Sequence, residues 1–172
     1  MKNLFARLIL IGTVFTAGCE GAMVPLGDAD QVQVDQQLIG EWMALDDEQE
    51  ASVITIWAYN DTEYYLEWIE EGSDPETVQI RAFTTELEGL RFSNVQCIVC
   101  DDDEREWFFY RFELVEGNEL HVQGIKNKHY RDAMGDMTRS KDVRRYVRRH
   151  LDDMDFFEEE IGIFTRVLAE ED

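Results

Sequence analysis

The stretch EWFFYRFELVEGNELHVQGI, residues 106–125, decides the fold of this chain. Its apolar and polar side chains alternate over 106–115 and again over 118–125. A period of two is typical of a strand that buries one face. Between the two runs, Glu116-Gly117-Asn118 supplies residues that tolerate the positive φ angles of a tight turn. We therefore predict two antiparallel strands joined as a hairpin.

The same pattern continues on both sides of this hairpin. Runs of β-branched and aromatic residues are separated by short turn signals, such as Glu88-Gly89, at regular intervals. Successive hairpins make an antiparallel meander, so the chain is predicted to be mainly β. The eight predicted strands are 38–45, 51–59, 62–70, 77–87, 90–99, 106–115, 118–125 and 161–168.

One helix is predicted before the last strand. Ser140 suits a helix N-cap, and apolar residues recur after it at helical spacing. We expect a helix over about 140–155 that packs its apolar stripe against the sheet. The stripe consists of Val143, Val147, Leu151 and Met154.

Eight strands in a single domain, residues 37–172, have to bury their apolar faces and edges. They do so either by closing into a barrel or by folding over as a sandwich.

Gly40-Glu41-Trp42 in the first strand resembles the Gly-x-Trp signature of lipocalins and related calycins. Arg166 lies where those barrels carry an arginine that stacks on this tryptophan. The resemblance implies a lipocalin-like barrel closed by Trp42 and Arg166; otherwise Trp42 is a core residue of another meander.

The first residues form an export signal. Lys2 and Arg7 precede an apolar run too short to span a bilayer as a helix. The stretch 15–19, FTAGC, resembles the lipobox of bacterial lipoproteins. This resemblance implies that residues 1–18 are removed as a signal peptide and that Cys19 carries lipid, including palmitate, in the cell envelope. The alternative is an ordinary cleaved signal with an incidental cysteine.

Two further expectations follow from the lipobox. Glu20 after the cysteine favours the outer membrane, facing the periplasm, over the inner membrane. Residues 19–36 contain Gly21, Pro25, Gly27 and a polar run, and we predict that they form a flexible tether.

The charge of the chain excludes one class of partner. With 38 acidic and 16 basic side chains, the net charge is −22. Nucleic-acid binding depends on clustered Lys and Arg, so it is not expected. Removal of residues 1–18, which contain two basic and no acidic residues, would make the charge −24.

The basic residues are concentrated in residues 126–149, which carry nine basic and three acidic side chains. We call this stretch the basic band. Arg144, Arg145, Arg148 and Arg149 recur at i,i+4 spacing on the predicted helix. Either they meet an anionic partner such as lipid headgroups, or the band neutralises the acidic barrel of its own chain.

Reactive groups are few. Cys97 and Cys100 are predicted to form a local disulfide in an oxidising compartment. A zinc site would need further ligands, and only His121, His129 and His150 are available besides carboxylates, so we expect no metal.

The sequence contains no Gly-x-Ser-x-Gly, no His-Glu-x-x-His and no phosphate-binding glycine loop. We therefore expect no enzyme activity and no cofactor.

Two functions remain as hypotheses. The first is a membrane-tethered interaction module that binds an envelope protein through its charged faces. The second is a lipocalin-like carrier that binds a lipid or another small apolar ligand inside the barrel.

Overall fold

The predicted meander closes into a barrel. The computed structural model describes residues 21–45, 51–70, 76–99, 106–159 and 162–168. Each strand pairs antiparallel with the next, and the last pairs with the first. The expectation of an eight-stranded antiparallel barrel is confirmed, and the sandwich does not form. The strands are β1 (Gly40–Leu45), β2 (Ala51–Ala58), β3 (Glu63–Glu70), β4 (Glu76–Leu87), β5 (Leu90–Cys97), β6 (Trp107–Val115), β7 (Glu119–Gly124) and β8 (Gly162–Arg166).

Two hairpin turns each place a glutamate and a glycine at positive φ, a conformation that glycine adopts readily and glutamate rarely. Glu88 and Gly89, between β4 and β5, both have positive φ, and so do Glu116 and Gly117 between β6 and β7. Two consecutive positive φ angles are the signature of the type I′ turn, whose twist matches that of the flanking strands. The register of these two hairpins is therefore set locally.

The barrel has a core on each side of its wall. Side chains of one strand parity fill the interior, because alternate residues of a strand point to the same face. Side chains of the opposite parity on β4, β5 and β6 form a second, external core with segments from outside the barrel. The interior core contains Leu38, Trp42, Ile56, Tyr64, Trp68, Ile80, Ala82, Val95, Phe112, Leu120 and Phe164. The external core includes Ala22, Leu26, Phe83, Leu87, Phe92, Trp107, Phe109, Tyr130, Met134, Val143, Val147, Phe156 and Phe157.

The helical region between β7 and β8 covers the external core. It consists of a short α1 (Asn127–His129), a π-helical turn (Tyr130–Met134) and α2 (Ser140–His150). Val143 and Val147 of α2 are fully buried, so the predicted apolar stripe is confirmed at these two positions.

The predicted end of this helix is wrong. The helix stops at His150, Arg139 occupies the N-cap position in place of Ser140, and Met154 is 96% exposed. Instead the chain turns after Leu151, and both Phe156 and Phe157 become buried.

Residues 21–35, here called the N-terminal segment, pack along the barrel, so the flexible tether predicted for 19–36 is wrong for these residues. β6 extends three residues beyond its pairing with β7, which leaves backbone groups of Trp107 without a β7 partner. Ala22 exchanges two backbone hydrogen bonds of 2.8 Å with Trp107 and is fully buried. Unpaired strand edges are costly when buried, so this bridge completes the edge of β6.

A buried asparagine holds the middle of the N-terminal segment. The Leu26 backbone N–H donates to Asn94 Oδ1 at 2.8 Å, and Asn94 Nδ2 donates to Phe83 O and Thr85 Oγ1. Asn94 is fully buried, which is tolerated because its amide is hydrogen-bonded on both sides. Gly27 follows Leu26 where a Cβ would lie 2.7 Å from Thr85 Oγ1, so the close approach requires glycine.

Candidate functional site

One end of the barrel is closed around Trp42 and Arg166. The two residues are paired across β1 and β8, and Arg166 Cζ lies 4.2 Å from the centroid of the Trp42 ring. Trp42 is fully buried, so the guanidinium covers a ring that is shielded from water. A desolvated cation–π contact of this kind is stronger than one at the surface. The structure thus brings together the two residues that the sequence paired.

The same two side chains fix the 3₁₀ turn Gln36–Leu38 across this end. Arg166 donates hydrogen bonds to the carbonyls of Gln37 and Ile39, and Trp42 Nε1 donates to Leu38 O at 2.9 Å. Arg166 Nε also donates to Gly117 O at 3.3 Å. The seam between β1 and β8, the 3₁₀ turn and the β6–β7 turn are therefore held by one guanidinium.

Asp35 anchors the entry to the 3₁₀ turn. Its backbone N–H donates to Tyr64 Oη at 2.7 Å, and its carboxylate pairs with Arg91 at 2.9 Å. Burial raises the pKa of Tyr64 above its usual value, so the hydroxyl is neutral and able to accept this bond. The preceding Val34 N–H donates to Asp61 O of the β2–β3 connection. We call the end of the barrel that is covered by Asp35, the 3₁₀ turn, Trp42 and Arg166 the closed end.

The opposite end is where β1, β3, β5 and β7 finish and β2, β4, β6 and β8 start. The chain segments 46–50, 71–75, 100–105 and 160–161, which connect these strands, lie outside the described residues. Several inward apolar side chains in the middle of the barrel and toward this end are only half-buried, although they pack on the interior core. They are Ala44, Ile54, Leu66, Val78, Tyr110 and Val122, and Ile39 and Leu114 at the closed end are half-buried as well.

Trp68 stands among these side chains. It lies on β3 between Ile54 of β2 and Val78 of β4, and it is 5% exposed. Within the described part of the chain, its Nε1 has no hydrogen-bond partner. Sequence reasoning missed this residue, because alternation assigns a tryptophan to the inner face without showing where its N–H points.

The arginines of α2 bind groups of their own chain. Arg144 donates to Glu86 O at 2.7 Å and Arg148 pairs with Glu88 at 2.9 Å, which docks the helix on the β4–β5 turn. Arg145 pairs with Asp142 at 3.1 Å. Arg149 is exposed. These contacts engage Arg144, Arg145 and Arg148 within their own chain, and the Arg148–Glu88 pair joins the basic band to an acidic group of the barrel.

Two lysines of the basic band hold the chain after α2. Lys126 and Lys128 both pair with Asp155. Their hydrogen bonds and charges lower the pKa of Asp155 from its usual value to about 2. These ion pairs fix the chain at Asp155, and the next two residues, Phe156 and Phe157, pack in the external core.

Two of the three histidines belong to an aromatic cluster. His129 Nδ1 lies 2.9 Å from Tyr146 Oη, and the rings of His129 and His150 contact Phe156. Burial, together with nearby Lys128 and His150, lowers the pKa of His129. The cluster packs α1, α2 and the Phe156 turn together, which gives these histidines a structural role.

The cysteines are described only in part. Cys97 is buried and disulfide-bonded. Cys100, the partner that the sequence predicts, lies outside the described residues, as does the predicted lipidation site Cys19. The Cys97–Cys100 pairing stays a prediction.

The described residues contain no group of three or more His, Cys, Asp or Glu side chains arranged to hold a metal ion. Among the same residues, no helix is long and apolar enough to cross a membrane.

Comparison with known proteins finds no matching family model, no matching curated protein and no matching solved structure.

Proposed function

We propose that this chain is a non-catalytic lipoprotein of the bacterial cell envelope whose barrel binds a small apolar ligand. The proposal rests chiefly on inward apolar side chains that stay half-buried inside a barrel with one hydrogen-bonded end. At one end, Arg166, Trp42 and the 3₁₀ turn are bonded across the opening. In the middle of the barrel, Ile54, which pairs with Trp42 across β1 and β2, and Val78 of β4 keep part of their surface accessible. An apolar ligand that covers this surface would be stabilised by its removal from water.

The N-terminal segment supports a position at a membrane. Ala22 is fixed to Trp107, the first residue of β6, at the end opposite the closed end. Cys19 is three residues from Ala22, and three extended residues reach at most about 11 Å. A lipid on Cys19 would therefore hold the ligand-accepting end close to the bilayer. An apolar ligand could then pass between the membrane and the barrel with little exposure to water.

Ligand binding is tested by NMR on the chain from Glu20 onward with labelled methyl groups. An apolar ligand such as dodecane should give intermolecular NOEs to the inward methyls of Ile54, Leu66 and Val78. The outward methyls of Val53 and Ile69 on the same strands are the matched controls. NOEs to the outward methyls alone, or to none, would overturn the proposal.

The lipid anchor is tested by metabolic labelling with palmitate in a bacterial host. The wild-type chain should incorporate the label, and Cys19→Ser should not. Incorporation that is unchanged in Cys19→Ser refutes the anchor and leaves the ligand-binding proposal to its own test.

The proximity of the barrel to the bilayer is tested by lengthening the chain. Insertion of ten Gly and Ser residues between Glu20 and Gly21 should slow ligand transfer from vesicles to the anchored protein. Binding of the same ligand to the unanchored protein should not change. Equal transfer rates with and without the insertion would contradict the proposed orientation.

An interaction module that binds an envelope protein is the second candidate, and an exposed apolar patch favours it. Met43 and Leu45 of β1 and Ile163 of β8 lie on the outer face of the barrel, and Leu45 and Ile163 are each 50% exposed. A photo-crosslinker at Leu45 or Ile163 should form the same single adduct in the envelope. The exposed Thr77 of β4 is the control position. Adduct formation from Thr77 as well would contradict a specific interface.

A further inference from the structure

The two inward tryptophans of the barrel differ in their hydrogen bonding. Trp42 Nε1 donates to Leu38 O at the closed end. Trp68 Nε1 is equally shielded from water, yet no group in the described part of the chain accepts its proton. A buried donor without an acceptor destabilises a protein, and native structures contain few of them. The unpaired indole N–H of Trp68 therefore points to a missing acceptor.

The surroundings of Trp68 are apolar. Its cross-strand neighbours are Ile54 and Val78, and the next inward residue on its own strand is Leu66. These three side chains are half-buried and pack on the interior core. A ligand placed against these three side chains would lie next to Trp68 in the barrel wall.

We propose that Trp68 donates its indole N–H to a hydrogen-bond acceptor of the ligand, and that the ligand is a neutral apolar molecule with a carbonyl or ester group. This inference rests on the proposed function, because it assigns the polar contact within the same barrel interior. The hydrogen bond would fix the orientation of a ligand that apolar packing alone leaves free to slide.

The charges of the barrel favour a neutral acceptor over a carboxylate. Among the described inward side chains, the cations are Arg91 and Arg166, and both are bonded at the closed end. A carboxylate beside Trp68 would be desolvated without a cation to pair with it, which is unfavourable.

The inference is tested by comparing three ligands of similar length on the chain from Glu20 onward. All the contacts described above lie within residues 21–168, which form the closed barrel with its N-terminal segment. The ligands are methyl laurate, tridecane and laurate, each competed against the fluorescent probe N-phenylnaphthylamine. The variant is Trp68→Phe, which removes the donor and keeps an aromatic ring. Trp57→Phe is the control, since Trp57 is on the outer face and 41% exposed.

Trp68→Phe should weaken methyl laurate binding by about tenfold, the effect of one hydrogen bond of typical strength. It should leave tridecane binding unchanged, and Trp57→Phe should change neither. In the wild-type chain, methyl laurate should bind more tightly than laurate. Equal weakening of methyl laurate and tridecane would assign Trp68 a packing role only. Tighter binding of laurate would overturn the neutral ligand.

A measurement on the unsubstituted chain covers the case in which Trp68→Phe does not fold. The indole ¹H–¹⁵N resonance of Trp68 should move downfield on addition of methyl laurate and not on addition of tridecane. A resonance that responds equally to both ligands would overturn the hydrogen bond. If the wild-type chain binds none of the ligands or the probe, the proposed function fails as well, which distinguishes the two outcomes.

Discussion

The guanidinium of Arg166 lies over the indole ring of Trp42, with Cζ 4.2 Å from the ring centroid, across the seam where β8 meets β1. This contact does more than join two strands. The guanidinium also binds carbonyls of the 3₁₀ turn, and the ring N–H binds a third carbonyl of the same region. Closure of the sheet and closure of one barrel end therefore depend on the same pair.

Replacement of Arg166 by Gln should destabilise the barrel. The variant loses the cation–π contact and the charge-assisted hydrogen bonds, together worth about 2–4 kcal/mol. Urea denaturation of Arg166→Gln should show this decrease in the free energy of unfolding. Arg166→Lys is the matched control: it keeps the charge but not the planar fork, so it should recover less than half of the loss. A decrease below about 0.5 kcal/mol for Arg166→Gln would show that the closed end does not depend on this residue.

Replacement of Asn94 by Ala should release the N-terminal segment. The substitution leaves the Leu26 N–H without its acceptor and opens a small void, for an expected loss of about 2–4 kcal/mol. Amide hydrogen exchange should accelerate at residues 22–30 more than in β2 or β3. Gln31→Ala, which removes only an exposed side-chain hydrogen bond to Asp28, should have little effect. Uniform acceleration across all strands would instead mean that Asn94 acts through the barrel wall.

The strands could be predicted from the sequence because each has a clear two-residue periodicity. All eight strands lie within two residues of their predicted bounds, because each has an alternating pattern flanked by turn residues. Trp42 and Arg166 were identifiable because a family resemblance marked them. Each strand pattern, and the Gly-x-Trp signature at Trp42, is contained in one short stretch of sequence.

The features that sequence reasoning missed depend on contacts between distant segments. The N-terminal segment buries Ala22 and Leu26 deeply, and two such residues among Gly, Pro and Asp make no periodic pattern. Asn94 has outward parity and would be assigned to solvent, but the same segment covers it. The unsatisfied N–H of Trp68 depends on which atoms surround it, which a pattern of residue types does not specify.

The pKa of Asp155 provides a test of the contacts made by the basic band. Asp155 should titrate near 2 in the carboxyl ¹³C spectrum, since Lys126 and Lys128 stabilise its charged form. Because the folded pKa lies below the unfolded value of about 3.9, the stabilisation is present above that value and is lost as the pH falls through 2. The double variant Lys126→Gln, Lys128→Gln should raise the pKa of Asp155 toward its ordinary value. An unchanged pKa in that variant would contradict the two ion pairs.

The arginines of α2 are expected to contribute little to membrane binding. Arg144, Arg145 and Arg148 are engaged within the chain. The chain from Glu20 onward should bind vesicles containing one third phosphatidylglycerol no more tightly than the variant with Arg144, Arg145, Arg148 and Arg149 all replaced by Gln. Co-sedimentation at low salt provides the measurement. Salt-sensitive binding that the fourfold variant loses would favour an anionic partner for the basic band.

The central claim is that the barrel interior receives an apolar ligand, and a cavity-filling substitution tests it most directly. Val78 is an inward, half-buried residue next to Trp68, so Val78→Phe should occupy the space that the ligand needs. Fluorescence titration with N-phenylnaphthylamine should give saturable one-to-one binding to the wild-type chain from Glu20 onward. Affinity should fall by at least about tenfold in Val78→Phe, since added bulk in a packed site excludes the ligand. Equal affinity in Val78→Phe, or no saturable binding to the wild-type chain, would contradict the claim.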